Sequence, residues 1–354
     1  MEVLPLGKAP WSLLVELVKK QGYKNEGIVQ TAKEGVDVAV LDLQSVIREV
    51  NEFYNTRSIP YLVYKADPIT FPTPNPAKYL ITVNKNDLAT AGALPYGITV
   101  TILLPPNSTR KSLIELQSNL SATCEKHHIT ILGGHTEITE EVQNPVLSAS
   151  MIGFVPPEFY IPRDPQTGDL IICSGWVGAE GTGILLAEAD NSSLKDQFKI
   201  EEYKQGIEIG TELDISNQVI DCNRRWHKDL HLVHDATEGG IIGALYECLA
   251  PKGFGSEVES KKIPLAPVTK RLADILGFDP YKLISSGAVL FVCNCNRAEA
   301  ITDFLRENKT PAEIIGEVTE RGKPIRVDGT QIKPPEADHI IVGLQQLKQF
   351  KDKN

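Results

Sequence analysis

Apolar positions along the chain alternate between a two-residue period and a helical one, with short turns at the changes. Leu13, Leu14, Leu17 and Val18 share one face of a helix that opens after Pro5, Gly7 and Pro10 and stops at Gly22. Val36–Leu43 alternates and is β-branched, which predicts a strand with Asp37 near its start. Ile59–Lys65 predicts another strand, running out at Ala66-Asp67-Pro68. The residue before a proline is kept out of the helical region, so Asp67 is expected at a strand end or turn. A proline-rich loop, Phe71–Pro76, leads to Ile81–Pro95, which reads as a helix. It carries Asn86 and Asp87 near its middle, a run of small residues from Ala89 to Ala93, and Pro95 as its stop.

Gly97–Leu104 predicts a strand closed by Pro105-Pro106. Ser108 predicts the cap of a helix whose stripe is Leu113, Leu116, Leu120 and Cys124, ending at His127. Ile129–Leu132 reads as a strand feeding a turn, Gly133-Gly134-His135-Thr136-Glu137, and Val146–Phe154 closes this series. Val155–Gly168 holds four prolines and is the best boundary in the chain, which gives domains 1–157 and 158–354. A second series follows. Leu170–Cys173 predicts a strand, Gly175–Gly183 a glycine-rich loop, and Ile184–Ala189 a helix. Polar helices are expected over 193–228, then a strand, His231–His234, running into Asp235-Ala236-Thr237-Glu238-Gly239-Gly240 and an apolar helix, Ile241–Leu249. Val289–Cys295 and Ile314–Val318 predict strands and Arg297–Asn308 a helix, while the polar tail Gln345–Asn354 is expected to fray. Interleaved strands and helices with short links predict layered α/β and α+β domains.

Composition narrows the function. A 42% hydrophobic share of 354 residues is enough for a sizeable core in each half. The net charge of -10, with no basic cluster, argues against nucleic acid as a partner. It leaves room for a phosphorylated small molecule, since such sites use backbone amides, metals and a few local cations. The start of the chain has no basic end followed by an apolar run, and no window of about 18 apolar residues predicts a membrane span. A cytoplasmic protein is expected. The six cysteines form no Cys-x-x-Cys pair and read as buried thiols of a reducing compartment. Cys293 and Cys295 are predicted to share one strand face, a weak two-thiol metal signal.

Asp37, Asp67, Asp87 and Asp235 each lie beside a predicted strand end, turn or small-residue segment, and Glu137 is a fifth such acid. Oxygen-rich surroundings of this kind suit Mg²⁺, which prefers carboxylates together with phosphate oxygens. Gly133-Gly134 and Gly175–Gly183 are candidate phosphate-binding turns, with a plain turn as the alternative; the second is neither a Walker loop, since no Gly-Lys-Ser/Thr follows, nor a dinucleotide fingerprint. His135 is a candidate general base or phosphate donor, and a hydrogen-bonded structural histidine is the alternative. No Gly-x-Ser-x-Gly elbow is present.

The order of these segments resembles the aminoimidazole ribonucleotide synthetase (PurM) superfamily, which includes selenophosphate synthetase, thiamine-monophosphate kinase and the hydrogenase-maturation protein HypE. The resemblance rests on Gly35-Val36-Asp37-Val38-Ala39-Val40, Ala66-Asp67, Asn86-Asp87-Leu88-Ala89 with Gly92-Ala93 and Pro95, Gly133-Gly134-His135-Thr136-Glu137, and Asp235-Ala236-Thr237-Glu238-Gly239-Gly240. It is nearest to HypE-like, AIR synthase-related proteins.

The resemblance implies a PurM-like N-terminal α/β domain whose strands pair across a homodimer, and a PurM-like C-terminal α+β domain. It implies ATP and Mg²⁺ as cofactors, in a cleft between the domains. Asp37, Asp67, Asp87 and Asp235 would be metal ligands, with Asn86, Gly133, Gly134, Thr136 and Glu137 near the nucleotide. Asp87, Asp235 and His135 would carry the chemistry, and Lys8 in Gly7-Lys8-Ala9-Pro10 matches a family Gly-Lys start. The implied activity is ATP-dependent, ligase- or kinase-like activation or phosphorylation of an unknown small molecule. A nucleotide- or partner-binding homologue without catalysis is the alternative. Three departures stand out. The loop Gln30–Gly35 is poor in glycine, Val36 stands where a second acid is usual, and the sequence ends Phe-Lys-Asp-Lys-Asn rather than Pro-Arg-Ile-Cys. HypE's cysteine-borne thiocyanate chemistry is therefore not expected.

Overall fold

A computed structural model describes every residue except Met1, Glu34, Phe71, Pro72, Pro74, Asn191, Ser192 and 352–354. Part of the glycine-poor loop, half of the proline-rich loop and the tip of the tail thus lie outside the described residues. The chain divides into two compact units, residues 1–160 and 161–354.

The first unit runs β1 (Gly7–Lys8), α1 (Trp11–Leu17), β2 (Ile28–Gln30), β3 (Val40–Leu41), α2 (Leu43–Tyr54), β4 (Tyr61–Ile69), α3 (Pro76–Thr90), β5 (Leu94–Leu104), α4 (Arg110–Lys126), β6 (Thr130–Ile138) and β7 (Val146–Val155). Among the described residues, five strands form a sheet in the order β1-β6-β5-β7-β4. Only the β5–β6 pair is parallel, joined by the crossover helix α4 that a parallel link needs. Ile98, Ile102 and Leu147 of the sheet close a core with Leu80, Leu88, Leu113 and Leu120 of α3 and α4. A second cluster sets Val46, Val50 and Tyr54 of α2 against Tyr96, Leu132 and Phe154.

Local chemistry moves several boundaries. The strand expected over Val36–Leu43 shrinks to Val40–Leu41, because Asp42 turns the chain into α2 by accepting from the Gln44 N–H. Helix α3 starts earlier than expected: Asn75 caps it, accepting from the Lys78 N–H, and Pro76 takes the first turn, where no N–H is needed. It stops at Gly92, whose φ of 78° favours glycine. Pro95 does not end the helix; it already lies in β5, at a register shift against β7 where a missing N–H is tolerated. Thr109, not Ser108, caps α4, in a reciprocal box with Ser112. Asp67 lies inside β4 rather than at its end, opposite Ala149, and Pro68 is accepted because β4 is an edge strand. The Gly133–Glu137 segment is no turn but a continuation of β6.

The second unit runs β8 (Leu170–Ser174), α5 (Ala179–Glu188), α6 (Ile200–Ile209), α7 (Ser216–Trp226), β9 (Leu230–Ala236), α8 (Gly240–Leu249), β10 (Phe254–Val258), α9 (Pro267–Leu276), β11 (Ala288–Cys293), α10 (Cys295–Glu307), β12 (Ala312–Arg321), β13 (Ile325–Val327), β14 (Thr330–Gln331) and α11 (His339–Lys351). Among the described residues, seven strands follow the order β14-β13-β10-β12-β8-β11-β9. Every residue of β11 is buried, as expected of a strand covered on both faces. Cys293 closes that strand while Cys295 opens α10 and is exposed, so the two thiols do not share a strand face. The supposed fraying tail is helical through Lys351, with Ile340 and Leu347 buried. No helix among the described residues is long and apolar enough to cross a membrane.

Candidate functional site

In the first unit the strand alternation of β4 turns Val63, Lys65, Asp67 and Ile69 to the less exposed side. Helix α3 lies against that side. Asn84, fully buried, accepts from the Asp67 N–H at 3.1 Å and donates to the Leu80 carbonyl at 2.9 Å, which fixes helix against strand. One helical turn on, Asp87 comes over Lys65. The Lys65 ammonium is 3.0 Å from an oxygen of Asp67 and 3.0 Å from an oxygen of Asp87. Partial burial works against this ammonium, but the Asp87 and Asp67 carboxylates outweigh it and hold the lysine above its ordinary range. Asn86, beside Asp87, is only 1% exposed. Lys85, also buried, contacts His127 Nδ1 at 2.8 Å.

Asp37 lies on the exposed loop between β2 and β3. Mg²⁺ asks for near-octahedral oxygen ligation. Asp67 and Asp87 offer two carboxylates, yet a lysine bridges them, and no three Asp, Glu, His or Cys side chains gather as a metal donor set among the described residues. As they stand, the residues of this unit do not fit a resident Mg²⁺.

The second feature lies along β6. Strand β1 covers that strand's outer edge only at Glu137 and Ile138, so the backbone of Gly133–His135 runs past its end. Lys8 sits opposite Glu137, and Ala9 donates to the Thr136 carbonyl at 3.1 Å. A cavity of about 130 Å³ opens here, lined by Lys8, Gly133, Gly134, His135 and Thr136 and backed by apolar residues of α1 and α4. A side chain at Gly134 would put its Cβ 1.9 Å from the Val100 carbonyl oxygen, whereas Gly133 faces open space. His135 Nε2 is 3.0 Å from Glu137 Oε2, two residues on along the same face, and both side chains are exposed. This surface can present backbone amides and two lysines, Lys8 and Lys20, to an anion.

In the second unit Asp235 is the penultimate residue of β9, 5% exposed and opposite Val289. The turn after it is closed by protein groups: Asp338 accepts from the Gly239 and Ile284 N–H groups, and Thr237 accepts from those of Gly240 and Ser285. The segment Gly175–Gly183 is only half a loop. Gly181 and Gly183 lie in α5, where a Cβ would strike Leu283 at 2.4 Å and the Gly210 Cα at 2.8 Å. These glycines are needed for close helix packing. The amides of Gly178 and Gly181 are taken by Ser285 and Ile284. Glu180, beside them, is buried among Ser286, Asp338 and Glu238, and burial pushes its carboxyl up to about 7.

The structure therefore brings Asp67 together with Asp87, and Lys8 together with Gly133, Gly134, His135 and Thr136. It does not gather Asp37 with Asp67 and Asp87. Lys65 and Glu180 went unnoticed in the sequence. The i, i+2 spacing of Lys65 and Asp67 on a strand was the available signal for the first.

Two mixed α/β units, each a sheet with helices on it, define a two-domain α/β architecture. Residues 61–155 match the AIR synthase related protein N-terminal domain and residues 166–329 the C-terminal domain of the same family. The chain belongs to this family, within the PurM superfamily, as its motif order implied. The carbamoyl dehydratase HypE of Escherichia coli K12 is 26% identical over 302 residues, 84% of each chain. The crystal structure of E. coli HypE, a hydrogenase maturation protein, aligns with a TM-score of 0.74 at 22% identity, covering 95% of this chain and 98% of that one. Thiamine-monophosphate kinase of Stenotrophomonas maltophilia K279a aligns with a TM-score of 0.70 at 20% identity, over 92% and 99%. A HypE solved in complex with ATP aligns with a TM-score of 0.65 at 19% identity, over 79% and 87%.

Proposed function

We propose that this chain binds ATP through its N-terminal unit and uses it to activate or phosphorylate a small molecule. The observation that carries the reading is the open edge of β6, where Lys8 and residues 133–136 line one cavity in a family with an ATP-complexed member. An amide-lined edge and a lysine neutralise phosphate charge without any covalent chemistry, which is what phosphoryl transfer requires of a protein. In this reading Gly133, Gly134 and Thr136 meet phosphate oxygens, His135 and Glu137 stand beside them as a hydrogen-bonded pair, and Asn86 is a further residue assigned to the nucleotide. Asp87 and Asp235 are the acids on which turnover depends, and the protein works in the cytoplasm.

The same reading includes a homodimer. Tyr61, Leu62 and Tyr64 are 52%, 62% and 64% exposed on β4, an edge strand whose open backbone groups invite a second copy.

ATP turnover with a panel of small phosphoryl acceptors tests the proposal. Asp87→Asn and Asp235→Asn are each expected to abolish it, and undiminished turnover in both variants sinks it. Saturable ATP binding with no product across the panel favours the alternative, a nucleotide- or partner-binding homologue without catalysis. The lysine held between Asp67 and Asp87 points that way.

A further inference from the structure

We propose that Lys65 is the resident cation of the Asp67–Asp87 pair and keeps divalent metal out of it. Two carboxylates facing one another across a strand and a helix repel unless a positive charge lies between them. Here that charge is part of the chain. The ammonium makes two contacts of equal length, 3.0 Å, one to each acid. Both acids sit on regular elements, and the buried Asn84 holds the register between them, so the gap is built rather than accidental. The three side chains are 37%, 36% and 21% exposed, half withdrawn from water, where an unpaired carboxylate is costly.

A divalent ion entering this gap must first expel the ammonium and still find its remaining oxygens elsewhere, since no third Asp, Glu, His or Cys side chain completes a donor set with the pair among the described residues. The lysine thus replaces a metal requirement with a fixed charge of one. The three groups together carry -1 rather than -2, which leaves them less repulsive to an approaching polyphosphate than two bare acids would be. The inference concerns the acid pair by itself and holds whether or not the chain binds ATP.

Mn²⁺ titration of the full chain without nucleotide, followed by electron paramagnetic resonance of the free ion, tests it. Wild type is expected to show no site at this pair. Lys65→Met, of similar length and uncharged, is expected to gain one Mn²⁺ per chain at least ten-fold tighter than anything in wild type. The gain should disappear in Lys65→Met combined with Asp87→Asn, and should not arise in Lys65→Arg, which keeps the charge. Lys65→Gln serves if the methionine variant fails to fold. A wild-type Mn²⁺ site that Asp87→Asn removes overturns the proposal, and so does a folded, uncharged Lys65 variant with no gain.

Discussion

The ammonium of Lys65 lies 3.0 Å from the carboxylate of Asp87, tying the outer strand of the first sheet to the helix that crosses it. The same lysine reaches Asp67 two residues along its own strand. The consequence is an acid pair whose charge is offset from within, at β4, the opposite edge of the sheet from β1, with β7 and β5 between it and β6.

Asn84 is the part that fixes this geometry. Its side chain satisfies the Asp67 N–H and the Leu80 carbonyl while fully buried. Asn84→Ala is expected to destabilise the first unit by about 1–3 kcal/mol, the usual cost of leaving such groups unpaired. Urea unfolding of the variant beside wild type measures it. An unchanged midpoint would show that α3 is held to β4 by apolar contacts alone.

Gly133 and Gly134 should respond differently to the same substitution. Gly134→Ala places a Cβ 1.9 Å from the Val100 carbonyl oxygen and is expected to disrupt the β5–β6 pairing, with a loss of more than about 2 kcal/mol. Gly133→Ala meets open space and should fold normally while weakening ATP binding. Thermal melts and nucleotide titration of the two variants separate the structural glycine from the ligand-facing one.

Glu180 gives the second unit a pH dependence. Its carboxyl is raised from 4.5 to about 7 by burial. Below pH 4.5 the group is protonated folded or unfolded and makes no difference. As pH rises toward 7 the unfolded chain ionises first, so stability falls, by an amount on the order of 3 kcal/mol above pH 7. Glu180→Gln cannot ionise. Its stability relative to wild type should therefore grow between pH 5 and pH 8, and urea unfolding at the two pH values checks the sign.

Thiol labelling tests the separation of Cys293 from Cys295. Burial pushes the Cys173 and Cys293 thiols up to about 12, and only Cys295 of the six is exposed. The native protein should label rapidly at one thiol, a signal lost in Cys295→Ser, and at all six once unfolded.

Much of the architecture could be read from periodicity, because strands such as β7 and β11 and the stripe of α4 are long and regular. Motif order supplied the family. Failures came where a local side chain overruled the pattern. Asp42 capped a helix inside an apparent strand, and Gly133–Glu137 looked like a turn although extended backbone accommodates it. Gly181 and Gly183 read as loop because their partners, Leu283 and Gly210, are distant in sequence. In the sequence Lys65 is only the last residue of a predicted strand. Only the packing of α3 across β4 makes it the partner of Asp87.

The proposed nucleotide site lies on the exposed edge of β6. Isothermal titration of the full chain with a non-hydrolysable ATP analogue in the presence of Mg²⁺ tests it most directly. Saturable binding at one site per chain is expected, weakened about ten-fold or more, roughly 1.4 kcal/mol, by Lys8→Ala. No binding heat, or binding that ignores Lys8→Ala, would contradict it.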